Sequence, residues 1–162
     1  MTPHPQCIRP LADEFTVLYE SPDPARIYAY SPGIFRLPGG RLVATFDLGG
    51  PGVRELPGVK WSRGESGYAW QGRVHTSDDG GLTWQHRTDF PFIHARPFAA
   101  GKSLYVLGQA GDLTIIRSED DGETWSPPVR LTEGQHWHQA PCNVHYAHGC
   151  VYLVMERRTR FE

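Results

Sequence analysis

The chain has 162 residues, enough for one domain with a real core, and 16 Lys and Arg stand against 18 Asp and Glu for a formal net charge of −2. That balance leaves no basic footprint for nucleic acid and no polybasic patch for a membrane, and no stretch is long and apolar enough to span a bilayer. The opening MTPHPQCIRPLADEF lacks the apolar run of a secretory signal, and Cys7, Cys142 and Cys150 have no metal-ligand spacing. The expectation is a soluble, cytoplasmic protein with reduced structural cysteines and no cofactor.

Residues 1–28 are proline-rich and irregular, with one short alternating apolar run at Phe15–Tyr19, and read as an entry segment. Four strands are predicted next. The first lies near Gly33–Leu37, and the turn Pro38-Gly39-Gly40 leads into a second at Arg41–Asp47. A long connection from about Leu48 to Ser66 carries Arg54, Lys60, Trp61 and Arg63, and a stretch of that length without periodicity is uncommon unless functional or mobile. The third strand is Tyr68–Thr76 and the fourth Trp84–Arg87. A second unit follows more tightly, with strands near Ile93–Ala99, Ser103–Gln109, Leu113–Arg117 and Pro128–Leu131. A third begins with Ala140–Tyr146 and Val151–Glu156 around His148-Gly149 and then stops.

Between the third and fourth strands of the first two units the same pattern is written twice. It is S-x-D-x-G-x-T-W, at Ser77, Asp79, Gly81, Thr83 and Trp84, and again at Ser118, Asp120, Gly122, Thr124 and Trp125. The Ser, Asp and Thr side chains can hydrogen-bond the backbone of a tight turn, glycine can take the positive φ that such a turn demands, and tryptophan supplies an apolar plate. Copies about 41 residues apart have the spacing of one supersecondary unit in a repeat protein.

These motifs resemble the Asp boxes of the sialidase (neuraminidase) superfamily, also called BNR repeats. The resemblance implies an all-β fold, a six-bladed β-propeller of four-stranded antiparallel blades whose Asp-box hairpins sit on the periphery and catalyse nothing. Blade one would cover about 29–90, blade two about 91–133 and an incomplete blade three about 134–162. A chain of this length holds fewer than three blades. The expectation is the N-terminal part of a longer chain, or self-association to cover the open blade faces.

In such a ring the innermost strands converge on the axis, and their starting ends form a funnel. Tyr30-Ser31-Pro32, His94-Ala95-Arg96 and His138-Gln139-Ala140 take this place, and Asp47, Gln109 and Glu156 end the second strands. The resulting site has Asp47 and Glu156 as catalytic carboxyls and Arg96, His138, Tyr30 and Trp61 as substrate contacts. His136 and His138 could share one strand face, but no third metal ligand is evident. The resemblance implies a glycan-processing hydrolase, an exo-sialidase or a relative, and the alternative is a non-catalytic propeller that binds carbohydrate or protein. The substrate-gripping arginine that the resemblance implies in an R-I-P tripeptide is absent, because Tyr30-Ser31-Pro32 stands there. Asp47 does match the acidic residue closing the second strand. The region Ser66–Arg73, where the family's acid/base aspartate should lie, holds no Asp, and the tyrosine nucleophile and its glutamate partner would fall in later blades.

Overall fold

The computed structural model describes residues 14–62, 67–138 and 144–159. Strands β1 (Tyr28–Arg36), β2 (Leu42–Gly50), β3 (Ala69–Ser77) and β4 (Gln85–Phe90) form one antiparallel sheet in that order. Strands β5 (Ile93–Ala100), β6 (Ser103–Ala110), β7 (Asp112–Ser118) and β8 (Val129–Arg130) repeat the order in a second sheet. Two short pairs follow. Strand β9 (Trp137–His138) pairs with β12 (Glu156–Arg157), and β10 (His145–Ala147) with β11 (Cys150–Tyr152). The fold is all-β, and the described residues close no ring. Among them no helix is long and apolar enough to cross a membrane.

The second strand of the first sheet is the best buried. In β2 every residue after Leu42 is buried, because side chains of opposite parity reach two different apolar clusters. Val43 joins Val74, Phe90, Phe92, Ala95, Leu104, Val106 and Ile116 between the two sheets. Phe46 and Leu48 point the other way, to Ile27, Val53 and Ala69, with Leu18 and Tyr19 of the entry segment packed over them. The stretch Phe15–Tyr19 contributes no strand; it acts through this packing, with the Tyr19 ring 5.1 Å from Phe46.

The two boxes carry the same hydrogen-bond network. Ser77 and Ser118 each donate to their aspartate at 2.8 Å and accept the N–H of Gly81 or Gly122 at 2.9 Å. Asp79 and Asp120 accept the N–H of Thr83 and Thr124 at 2.9 Å and the hydroxyls of the same residues. Gly81 and Gly122 hold φ of 96° and 87°, which a residue with a Cβ adopts only under strain. Trp84 and Trp125 donate to the carbonyls of Gly81 and Gly122 at 3.0 and 3.1 Å. Both rings are half-buried. Trp125 packs on the inter-sheet core, as the repeat requires, whereas Trp84 looks onto the outer side of the first sheet, beside Val17 and Ile34.

Three expectations change. Strand β2 continues through Gly50 into a short 3-10 helix, Pro51–Glu55, and Trp61 then bridges to Trp70, so the connection after Leu48 is largely structured; Arg63 lies outside the described residues. The expected strand Val151–Glu156 is broken between β11 and β12, while residues 140–143 of the expected strand Ala140–Tyr146 lie outside the described residues. Cys150 is an exposed free thiol rather than a packed one, and Cys7 and Cys142 lie outside the described residues.

Candidate functional site

Strand register brings the site together. Tyr30 faces Asp47, Ile93 faces Gln109, and His138 faces Glu156, so the same ladder position recurs three times. After each of the first two pairs the inner strand bulges, between Tyr30 and Gly33 and between Ile93 and Arg96. Ser31 and His94 hold matching φ of 52° and 54° at those bulges. The counterparts of Tyr30-Ser31-Pro32 are therefore Ile93-His94-Ala95, one residue earlier than expected. A one-residue shift reverses the face each side chain points to, and that places His94 at the site and Arg96 away from it.

At this end of the sheets a cavity of about 480 Å³ opens. Its first wall is aromatic: Tyr30, Trp61 and Trp70. Trp61 and Trp70 exchange backbone hydrogen bonds of 2.9 and 2.8 Å, and their rings lie 4.9 Å apart. The loop bearing Trp61 is held from behind by the fully buried Gln71, whose amide donates to the carbonyls of Pro57 and Val59 at 2.7 and 3.2 Å. Gly49 permits the wall to form, since a Cβ there would stand 2.5 Å from the Tyr30 hydroxyl and 3.0 Å from the Trp70 ring.

The second wall is Ile93, His94 and Gln109, and the third is His136, Trp137 and His138. The rings of His94 and His138 meet edge to face at 4.9 Å. Gln109 lies 3.4 Å from His94 Nδ1 and accepts the Gly111 N–H at 3.0 Å. Asp112 shapes the turn that delivers Trp137, accepting from the Thr132 hydroxyl and the N–H groups of Gly134 and Gln135 at 3.0, 3.1 and 2.9 Å. The Trp137 N–H then donates to the Gly111 carbonyl at 2.9 Å.

Asp47 is 0% exposed and does not line the cavity; it sits behind the wall. Its Oδ2 accepts the His94 N–H of the neighbouring sheet at 2.5 Å. Burial pushes its carboxyl up to about 8, against the opposing pull of the His94 N–H, the Ser31 side chain and the Arg96 charge. Burial, helped by Asp47, also raises the Tyr30 hydroxyl above its usual range. His94 is lowered by burial and by the nearby His138. Glu156 is exposed, with Arg158 Nε at 2.8 Å and His138 Nδ1 at 3.5 Å, and Arg158 holds its carboxyl below the usual value.

Of the residues expected at the site, Tyr30, Trp61 and His138 line one cavity, with Asp47 behind its first two walls and Glu156 beside His138. Arg96 is not brought in. Its guanidinium donates to the Pro32 carbonyl and lines a separate cavity of about 600 Å³ with Gly33, Pro97 and Tyr146. Sequence reasoning missed Trp70, Gln71 and Asp112. Trp70 was accessible from alternation along β3, but Gln71 and Asp112 act through loops whose path no local pattern discloses. The boxes lie at the opposite end of the sheets, where Ser77 pairs with Leu42 and Ser118 with Leu104. Among the described residues no three His, Cys, Asp or Glu side chains converge as a metal-ligand set.

No family model and no curated protein matches the chain. Among solved structures, an α-L-arabinanase of Penicillium chrysogenum, complexed with arabinobiose, is similar at a TM-score of 0.50 and 17% identity, over 79% of this chain and 40% of that one. A protein of unknown function from Dyadobacter fermentans is similar at a TM-score of 0.37 and 12% identity, over 67% of this chain and 52% of that one. The chain thus spans about half, or less, of the length of the structures it resembles. At this identity the likeness to the arabinanase is one of fold.

Proposed function

We propose that this chain is a portion of a six-bladed, sialidase-like Asp-box propeller and that its cavity binds carbohydrate. The observation that carries this reading is the aromatic cavity of Tyr30, Trp61, Trp70 and Trp137, furnished with imidazoles and one amide and set at the end of the sheets away from the boxes. Flat apolar rings beside a few fixed polar groups suit the apolar faces and hydroxyl edges of a sugar ring. Support for the propeller comes from the repeated strand order, the matching box networks and the three equivalent ladder pairs. The similar arabinanase was solved with a bound disaccharide, which fits a carbohydrate reading.

A hydrolytic role is the second reading. It is favoured by Asp47, a carboxyl kept protonated near neutral pH directly behind Tyr30 and His94, as a general acid requires. Its complete burial makes binding the leading proposal.

The five tryptophans supply the test, since three line the cavity and two belong to the boxes. Titration with pooled oligosaccharides, followed through the indole N–H resonances by NMR, is expected to shift Trp61, Trp70 and Trp137 and leave Trp84 and Trp125 in place. Five unmoved signals, or movement confined to the two box indoles, would remove the carbohydrate reading.

A further inference from the structure

Resting on that carbohydrate reading, we infer that the cavity selects neutral glycans and rejects carboxylated ones. The argument concerns charge. Recognition of a sugar carboxylate calls for a cation in the site, and a bidentate guanidinium serves best. None of the described residues that line this cavity is Arg or Lys. Among the described residues, three neighbouring guanidinium groups are engaged elsewhere. Arg158 is held by Glu156 beside His138, Arg96 donates to the Pro32 carbonyl, and Arg73 lies against Gln71 and Asp89 behind the Trp61 loop.

What does face the cavity is largely apolar, with an amide and three imidazoles among the indoles. Three indoles and a phenol form the bulk of the walls, and Gln109 brings an amide. His94 is driven toward its neutral form by burial and by His138, which suits it to exchange hydrogen bonds with hydroxyl groups. Two acidic groups stand close behind, Asp47 at the first two walls and Glu156 beside His138. The Glu156 carboxylate opposes an anion and is indifferent to a neutral sugar, while Asp47, kept protonated by burial, adds no charge. The long Trp61 loop, which on composition alone offered Lys60 beside the tryptophan, directs that ammonium to the Gly58 carbonyl at 2.8 Å.

Two pools of oligosaccharides separate the outcomes on the full 162-residue chain. One holds only neutral sugars, and the other holds sialylated and uronic-acid-containing sugars of similar length. The neutral pool is expected to shift the cavity indoles with an affinity that does not change with salt, and Trp137→Ala to weaken that binding at least tenfold. Trp61→Phe, which keeps a ring in the wall, provides a milder variant should the first fail to fold, and is expected to weaken binding severalfold. Tighter binding of the carboxylated pool, falling as salt rises, would overturn the selectivity while leaving the carbohydrate reading intact. A response to neither pool would overturn both.

Discussion

Asp47 couples the two sheets at the level of one atom, because its Oδ2 takes a backbone N–H from β5 while its own strand belongs to the first sheet. A carboxyl raised to about 8 in the fold, from an ordinary value near 3.8, binds its proton more tightly folded than unfolded. The sign follows from proton linkage. Below about pH 4 both states are protonated and the group contributes nothing, and between about 4 and 8 only the unfolded state ionises, so stability falls as pH rises. The limiting slope is about 1.4 kcal/mol per pH unit. Urea unfolding of the wild type and Asp47→Asn should therefore diverge across that window, with the variant gaining relative stability toward pH 8. Parallel curves would mean that the carboxyl is already ionised in the fold. The asparagine can still accept the His94 N–H, so the comparison isolates the charge.

At the scale of elements, the sheets are joined near the boxes by a second contact of opposite character. Glu123, a variable position of the second box, receives Arg41 and Arg87 from the first sheet, each at 2.5 Å. Arg41 also grips Asp78 of the first box at 2.6 and 2.8 Å, so one guanidinium spans both motifs. The carboxylate is 40% exposed, and solvent screening holds each such pair to about 0.2–1 kcal/mol. Glu123→Gln is expected to lower the melting temperature by a few degrees at low salt and by less at high salt, because screening has already weakened the wild-type pairs. A loss equal at both ionic strengths would mark Glu123 as a packing residue of the turn. The boxes themselves depend on short hydrogen bonds within each motif, which hold Asp120 down to about 2 and lower Asp79 as well, and Glu123→Gln leaves those intact.

Taken whole, the described residues leave apolar surface at one flank. Ile34 is 65% exposed on β1 and Val17 60% exposed on the entry segment, beside a concavity of about 610 Å³ that also takes in Leu18, Phe46 and Trp84. At the other flank Tyr152 and Val154 are exposed next to strands of two or three residues. A sheet buries one face against each neighbour, and short edge strands present unpaired backbone. The isolated 162-residue chain is thus expected to self-associate, with light scattering giving a mass above 18.2 kDa that rises with concentration. A monomer at every concentration would contradict the propeller reading, since these faces would then need no cover.

The sequence alone determined what short-range chemistry dictates. Two S-x-D-x-G-x-T-W turns carry their hydrogen-bonding groups within eight residues, so their networks and the strands they join were legible without any tertiary contact. The same holds for the ladder position shared by Asp47, Gln109 and Glu156, which follows from counting along a strand after a glycine turn. Tertiary structure decided the rest. Beyond matching bulges in the two inner strands, Arg96 turns to a separate cavity while His94 stays at the expected one. Burial between sheets set Asp47 behind the wall and raised its carboxyl. Long-range bonds from Gln71 and Asp112 placed Trp61 and Trp137. Each of these depends on which strand lies across the gap, and that information is spread over the whole chain rather than held in any window of it.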